Sequence, residues 1–119
     1  MTAADFRRMA LGLPETEESR HMGHPDFRVR GKVFATLGYP GGGWGMVKLA
    51  PRHQKLLEAA QPGAFVPAQG AWGRQGCTCV LLKTARRQTV GKALASAWSR
   101  LATAELVRRL DAPSLDADG

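Results

Sequence analysis

His21-Met-Gly-His-Pro-Asp-Phe-Arg-Val-Arg-Gly-Lys-Val-Phe-Ala-Thr-Leu37 holds a strand, a tight reversal and a second strand in one uninterrupted run. Phe27 and Val29 alternate with Arg28 and Arg30, the period-two pattern of a half-buried strand, and Gly31 supplies the positive φ that a sharp turn demands. Strands joined this tightly are antiparallel, because a parallel neighbour needs a long crossover. The same bend gathers Arg28, Arg30 and Lys32, so the segment sets the fold and presents charge.

Downstream, Gly38-Tyr-Pro-Gly-Gly-Gly43 is a turn-rich connection, and Trp44-Gly-Met-Val-Lys-Leu49 has the length and apolar content of a third strand. Pro51 fits the first turn of a helix in which Leu56, Leu57 and Ala60 are expected to face inward, closed by Pro62-Gly63. Gln61 to Gly76 reads as an irregular segment anchored by Phe65, Val66 and Trp72. Cys77-Thr-Cys-Val-Leu-Leu82 suits a central strand. Thr89 to Leu110 is expected to form the longest helix, its core face set by Val90, Leu94, Ala97, Trp98, Leu101 and Val107.

Upstream, Thr2-Ala-Ala-Asp5 is a helix-starting capping pattern, followed by an apolar stripe of Phe6, Met9, Ala10 and Leu13 that Pro14 ends. The order helix, three strands, helix, one or two strands, helix predicts an α+β two-layer sandwich, an antiparallel sheet with helices on one face and the other partly open. One domain over 1–110 and an acidic, frayed tail over 111–119 account for the whole chain.

With 119 residues, 44% of them hydrophobic, the chain is long enough to fold alone without disulfides or a structural metal. A net charge of +7 favours polyanionic partners. That charge is uneven. Ala71 to Leu110 is strongly basic with Glu105 its single acid, whereas Glu15, Glu17 and Glu18 cluster after the first helix. Cys77 and Cys79 point the same way from a strand and are too close in sequence for an ordinary bridge, so both are expected to be reduced. No export signal or long apolar run is visible, which sets the expectation of a cytoplasmic protein with no membrane contact.

Candidate chemistry follows from these placements. Arg28, Arg30 and Lys32 could reach phosphates as a β-wing, or form a solvated strand face. Trp72-Gly-Arg74 could supply a second wing, Trp72 stacking on a base and Arg74 meeting phosphate, although a loop tryptophan also serves as a core plug. Lys48 at a strand end could meet an anion or simply snorkel, and Arg86 and Arg87 precede a helix N-terminus that could hold phosphate. His21, His24, His53 and the cysteines lack the spacing of a zinc site, and Gly41-Gly-Gly-Trp-Gly45 lacks the Lys-Ser/Thr of a phosphate loop. Cys77 or Cys79 with His24 has no assignable third catalytic group. A small-molecule pocket near His24, Lys48 and Trp72 is a further reading.

His24-Pro-Asp-Phe-Arg-Val-Arg-Gly-Lys-Val-Phe-Ala35, then Lys48-Leu-Ala-Pro51, then Gly70-Ala-Trp-Gly-Arg74, in that order after Phe6-Arg-Arg-Met-Ala-Leu-Gly-Leu-Pro14, resembles the MmcQ/YjbR family of small bacterial proteins over about Asp5 to Leu110. The resemblance implies a secretion chaperone-like fold in the order α-β-β-β-α-β-β-α, with a short fourth strand near Phe65. It also implies a DNA-binding protein with two hairpin wings. The charge and aromatic placement above, rather than the family, give the candidate contacts Arg28, Arg30, Lys32, Lys48, Trp72, Arg74, Arg86 and Arg87, and with no catalytic set in view a non-enzymatic protein is expected. No cofactor or metal is implied. The alternative is a protein- or peptide-binding adaptor using the open sheet face. Two departures from the family pattern stand out: Arg52-His53 where acidic residues are expected at a helix start, and Cys77-Thr-Cys79 in a strand that often carries bulkier or basic side chains.

Overall fold

The computed structural model describes residues 1–111, so the expected tail beyond Asp111 lies outside the described residues. Helix α1 (Ala3–Leu11) starts as the sequence dictates. Thr2 N–H donates to the Asp5 carboxylate at 2.8 Å and Asp5 N–H donates to Thr2 Oγ1 at 3.1 Å, a reciprocal capping box. Then come strands β1 (Thr16–His21), β2 (His24–Val29), β3 (Lys32–Leu37) and β4 (Trp44–Lys48), followed by helix α2 (Pro51–Ala60), strand β5 (Phe65–Pro67), the short helix α3 (Gly70–Arg74), strand β6 (Cys77–Leu81) and helices α4 (Arg87–Ser99) and α5 (Ala104–Asp111).

All six strands join in one sheet in the order β1-β2-β3-β4-β6-β5, every pair antiparallel. The hairpin that decides the fold is closed by a two-residue turn. Val29 pairs with Lys32 while Arg30 and Gly31 hold φ of 55° and 76°, the primed geometry whose twist matches that of the strands. Helices α1 and α4 cover one sheet face, where Phe6, Phe27, Phe34, Val47, Phe65 and Trp98 are fully buried in one core. Close approach of α1 depends on Gly45, since a Cβ there would stand 2.9 Å from the Phe6 ring.

The α+β sandwich is therefore the one expected, with four differences of detail. A further strand, β1, precedes the predicted three. It is an edge strand with exposed side chains along most of its length, and so has no apolar alternation to reveal it. In α2 Leu57 faces inward but Leu56 and Ala60 are exposed, and Gln54 takes an inward position where its Nε2 donates to the carbonyls of Gly73 and Cys77. The predicted long helix is two. Chain direction changes after Ser99, and the Thr103 hydroxyl accepts the Leu106 N–H to start α5. Of the three expected anchors around β5 and α3, Phe65 is buried, whereas Val66 and Trp72 are exposed.

Candidate nucleic-acid interface

The β2–β3 turn and the far end of α4 meet at one end of the sheet. Arg30 Nη1 donates to the Leu101 carbonyl at 3.2 Å and Arg100 Nη1 donates to the Lys48 carbonyl at 3.1 Å. The negative end of the α4 dipole favours guanidinium groups there. Lys32 opens β3 beside the turn, and Lys48 closes β4 opposite Cys77. Arg30, Lys32, Lys48 and Arg100 thus share one end of the molecule, and among the described residues none of them has a carboxylate within 4 Å. Sequence reasoning missed Arg100 because it was expected inside a continuous helix rather than at a helix end.

The other predicted residues are placed differently. Arg28 is turned onto its own strand: Nε and Nη2 donate to the two oxygens of Asp26 at 2.8 and 3.0 Å. Asp26 is fully buried and also pairs with His21 Nδ1. The Arg28 fork, helped by His21, holds the Asp26 carboxyl below its ordinary value against the opposing effect of burial. Residues two apart on a strand share a face, which brings the Arg28 side chain alongside Asp26. Arg74 is exposed at the end of α3, and Trp72, 57% exposed, lies edge-on to Tyr39, which in turn meets the His24 ring. Arg86 and Arg87 lie at the opposite end of α4 from Arg100. There Gln61 Oε1 accepts the Arg86 N–H and Arg87 pairs with Asp5 at 3.3 Å, so the helix start is already engaged.

Candidate residues for other chemistry are likewise dispersed. His53 bonds Ser96 at 3.2 Å, remote in its bonding from the His21–Asp26 pair, and among the described residues no group of three His, Cys, Asp or Glu is assembled. Burial pushes the Cys79 thiol up to about 11, helped by the neighbouring Cys77. It also raises Cys77, against the pull of Lys48 and Arg100. Both thiols are therefore protonated at neutral pH, the opposite of an activated nucleophile. Two shallow surface grooves, one beside Gln61 and Thr84 and the other beside Gln54 and Arg74, include none of His24, Lys48 and Trp72. No described helix is long and apolar enough to cross a membrane.

Fold and site define a small two-layer α+β protein whose six-stranded antiparallel sheet gathers Arg30, Lys32, Lys48 and Arg100 at one end, with no carboxylate within 4 Å of them among the described residues. The YjbR family model matches residues 11–100, and the chain belongs to the YjbR family. Among solved structures it is similar to the Deinococcus radiodurans protein DR2400, described with the domain DUF419. The TM-score is 0.73 at 19% identity, covering 99% of this chain and 94% of that one, a likeness of fold. No match is found among curated proteins.

Proposed function

We propose that the protein is a non-enzymatic, cytoplasmic nucleic-acid-binding protein, with DNA as its ligand, and that the β2–β3 turn is its principal wing. The observation that carries this reading is the convergence of Arg30, Lys32, Lys48 and Arg100 at one sheet end without a carboxylate within 4 Å among the described residues. Charges left free in this way release counterions from a phosphate backbone on contact, whereas Arg28 is already neutralised by Asp26. Arg74 and the exposed ring of Trp72, both on α3, offer a further positive charge and a stacking group. The alternative of a peptide-binding adaptor has less support. The sheet face on which a peptide would dock is covered at its centre, by Arg28 on Asp26 and by Ala68 and Tyr39 against Met46, Cys77 and Cys79.

Fluorescence anisotropy of a labelled duplex over a salt series tests the proposal. Binding is expected to weaken steeply with salt, and Arg30→Glu with Lys32→Glu should lower the slope of log affinity against log salt by about two. Arg86→Glu, at the other end of α4, should change affinity much less. Absence of association at low salt, or equal losses from both changes, overturns the assignment.

A further inference from the structure

The face of the sheet turned away from α1 and α4 carries a cluster that nucleic-acid binding does not use. Met46 stands directly opposite Cys79 in the β4–β6 ladder, and Cys77 lies two residues earlier on β6, on the same face. The three side chains are 6%, 4% and 8% exposed and pack in one cluster with Ala68, flanked by Tyr39 and Trp44. Both cysteines are free thiols. Two residues of extended strand separate their Cα atoms by about 6.6 Å, at the upper limit of disulfide geometry, so the pair is poorly placed to oxidise within the chain.

We propose that Met46, Cys77 and Cys79 form a binding site for a soft monovalent metal ion of the Cu(I) class. Thiolate and thioether sulfurs select such ions, and the cluster brings both kinds together. Met46 is the adaptable ligand. Directly opposed residues of an antiparallel pair have Cβ atoms about 5 Å apart, within reach of its flexible thioether. Two thiolates and one monovalent cation leave a single negative charge. Lys48, directly opposite Cys77, and Arg100, bonded to the Lys48 carbonyl, place positive charge beside it. Each thiol releases its proton to solvent as its sulfur bonds the ion, and the ion keeps its oxidation state, so no oxidant or reductant is consumed. Proton release makes affinity rise with pH.

The test titrates the whole reduced protein, without oxygen, into Cu(I) held by the coloured chelator bicinchoninate. Wild type is expected to withdraw one equivalent, and redox-inert Ag(I) to bind with the same stoichiometry. Cys77→Ser and Cys79→Ser should each weaken binding by about 100-fold or more, and Met46→Leu by about tenfold. X-ray absorption of the copper-loaded protein should show sulfur neighbours only. Retention of all copper by the chelator, undiminished binding by the double serine variant, or nitrogen and oxygen neighbours overturns the site. Should the serine variants fail to fold by circular dichroism, the volume-conserving Met46→Leu decides: unchanged affinity with two sulfur neighbours refutes the three-sulfur site.

Discussion

Across the six strands, the opposed residues Glu18, Phe27, Ala35, Val47, Thr78 and Pro67 make one row, and Ser19, Asp26, Thr36, Met46, Cys79 and Val66 make the next, on the other face. The central members of both rows are buried to nearly the same degree, yet their chemistry differs. Phe27, Ala35 and Val47 belong to the core under α1 and α4. Asp26, Thr36, Met46 and Cys79 are closed over by the protein's smaller parts, Arg28 on Asp26, and Ala68 and Tyr39 on the sulfurs. The Thr36 hydroxyl is buried with no hydrogen-bond partner among the described residues. Stability alone would fill such a row with apolar residues, because buried polar groups return little net free energy even when paired. The contrast separates a face built for packing from one that keeps specific chemistry.

The largest expected effect tests that separation directly. Phe27→Ala should cost about 3–5 kcal/mol, since a fully buried ring leaves a cavity that the helices above it cannot close. Met46→Ala, at the same depth but under a thin cover, should cost about 2 kcal/mol, the low end for such truncations. Urea denaturation measures both. Equal costs would mean that the second face is core in the same sense as the first.

The two faces also differed in how readily the sequence could be read. Phe27, Val29 and the α1 stripe announced the helix-covered face through their periods, and that was enough for the α+β sandwich and its central strands. The other face has no such signal. Met46 and Cys79 lay in segments that read as apolar strands, but nothing in the local pattern marked Asp26 as buried or showed that Met46 would face Cys79. Strand β1 was hidden for a related reason: an edge strand with one neighbour and exposed side chains carries little apolar pattern, and its trace was the Met22-Gly23 turn, with φ of 50° and 81°. Gln54 replaced an expected apolar residue because two carbonyls needed a donor, a tertiary requirement absent from local pattern. The basic turn was legible from Arg30, Gly31 and Lys32, but Arg28's diversion to Asp26 required the fold, as did the arrival of Arg100 at the same end.

A smaller effect should separate the faces by pH. Asp26 is held below its ordinary value of 3.8, first by Arg28 and then by His21, so its stabilising contribution is complete above that value and is lost as pH falls through the depressed one. Arg28→Met removes the first cause and leaves burial, which raises the pKa, opposed by His21. Acid unfolding followed by circular dichroism should then begin at higher pH than in wild type. Val47→Ala, on the helix-covered face, should lower stability by a similar amount at every pH. A parallel shift in both variants would remove Asp26 as the titrating element.

The smallest effect on stability is expected at Trp72, where the second face opens to solvent. Its ring is more than half exposed and meets Tyr39 edge-on, with centroids 6.3 Å apart. Such a contact is worth about 0.5–1.5 kcal/mol when buried and less in water. Trp72→Ala should therefore leave the unfolding free energy, measured by urea denaturation, within about 0.5 kcal/mol of wild type, as for an ordinary surface change. Affinity for single-stranded DNA should fall by far more, since stacking on an aromatic ring contributes about 1–3 kcal/mol per base. Trp72→Phe, which keeps an aromatic plane, should restore most of the loss. If instead Trp72→Ala unfolds the protein and leaves its affinity intact, the ring is a packing residue and the interface contracts to the Arg30 end of the sheet.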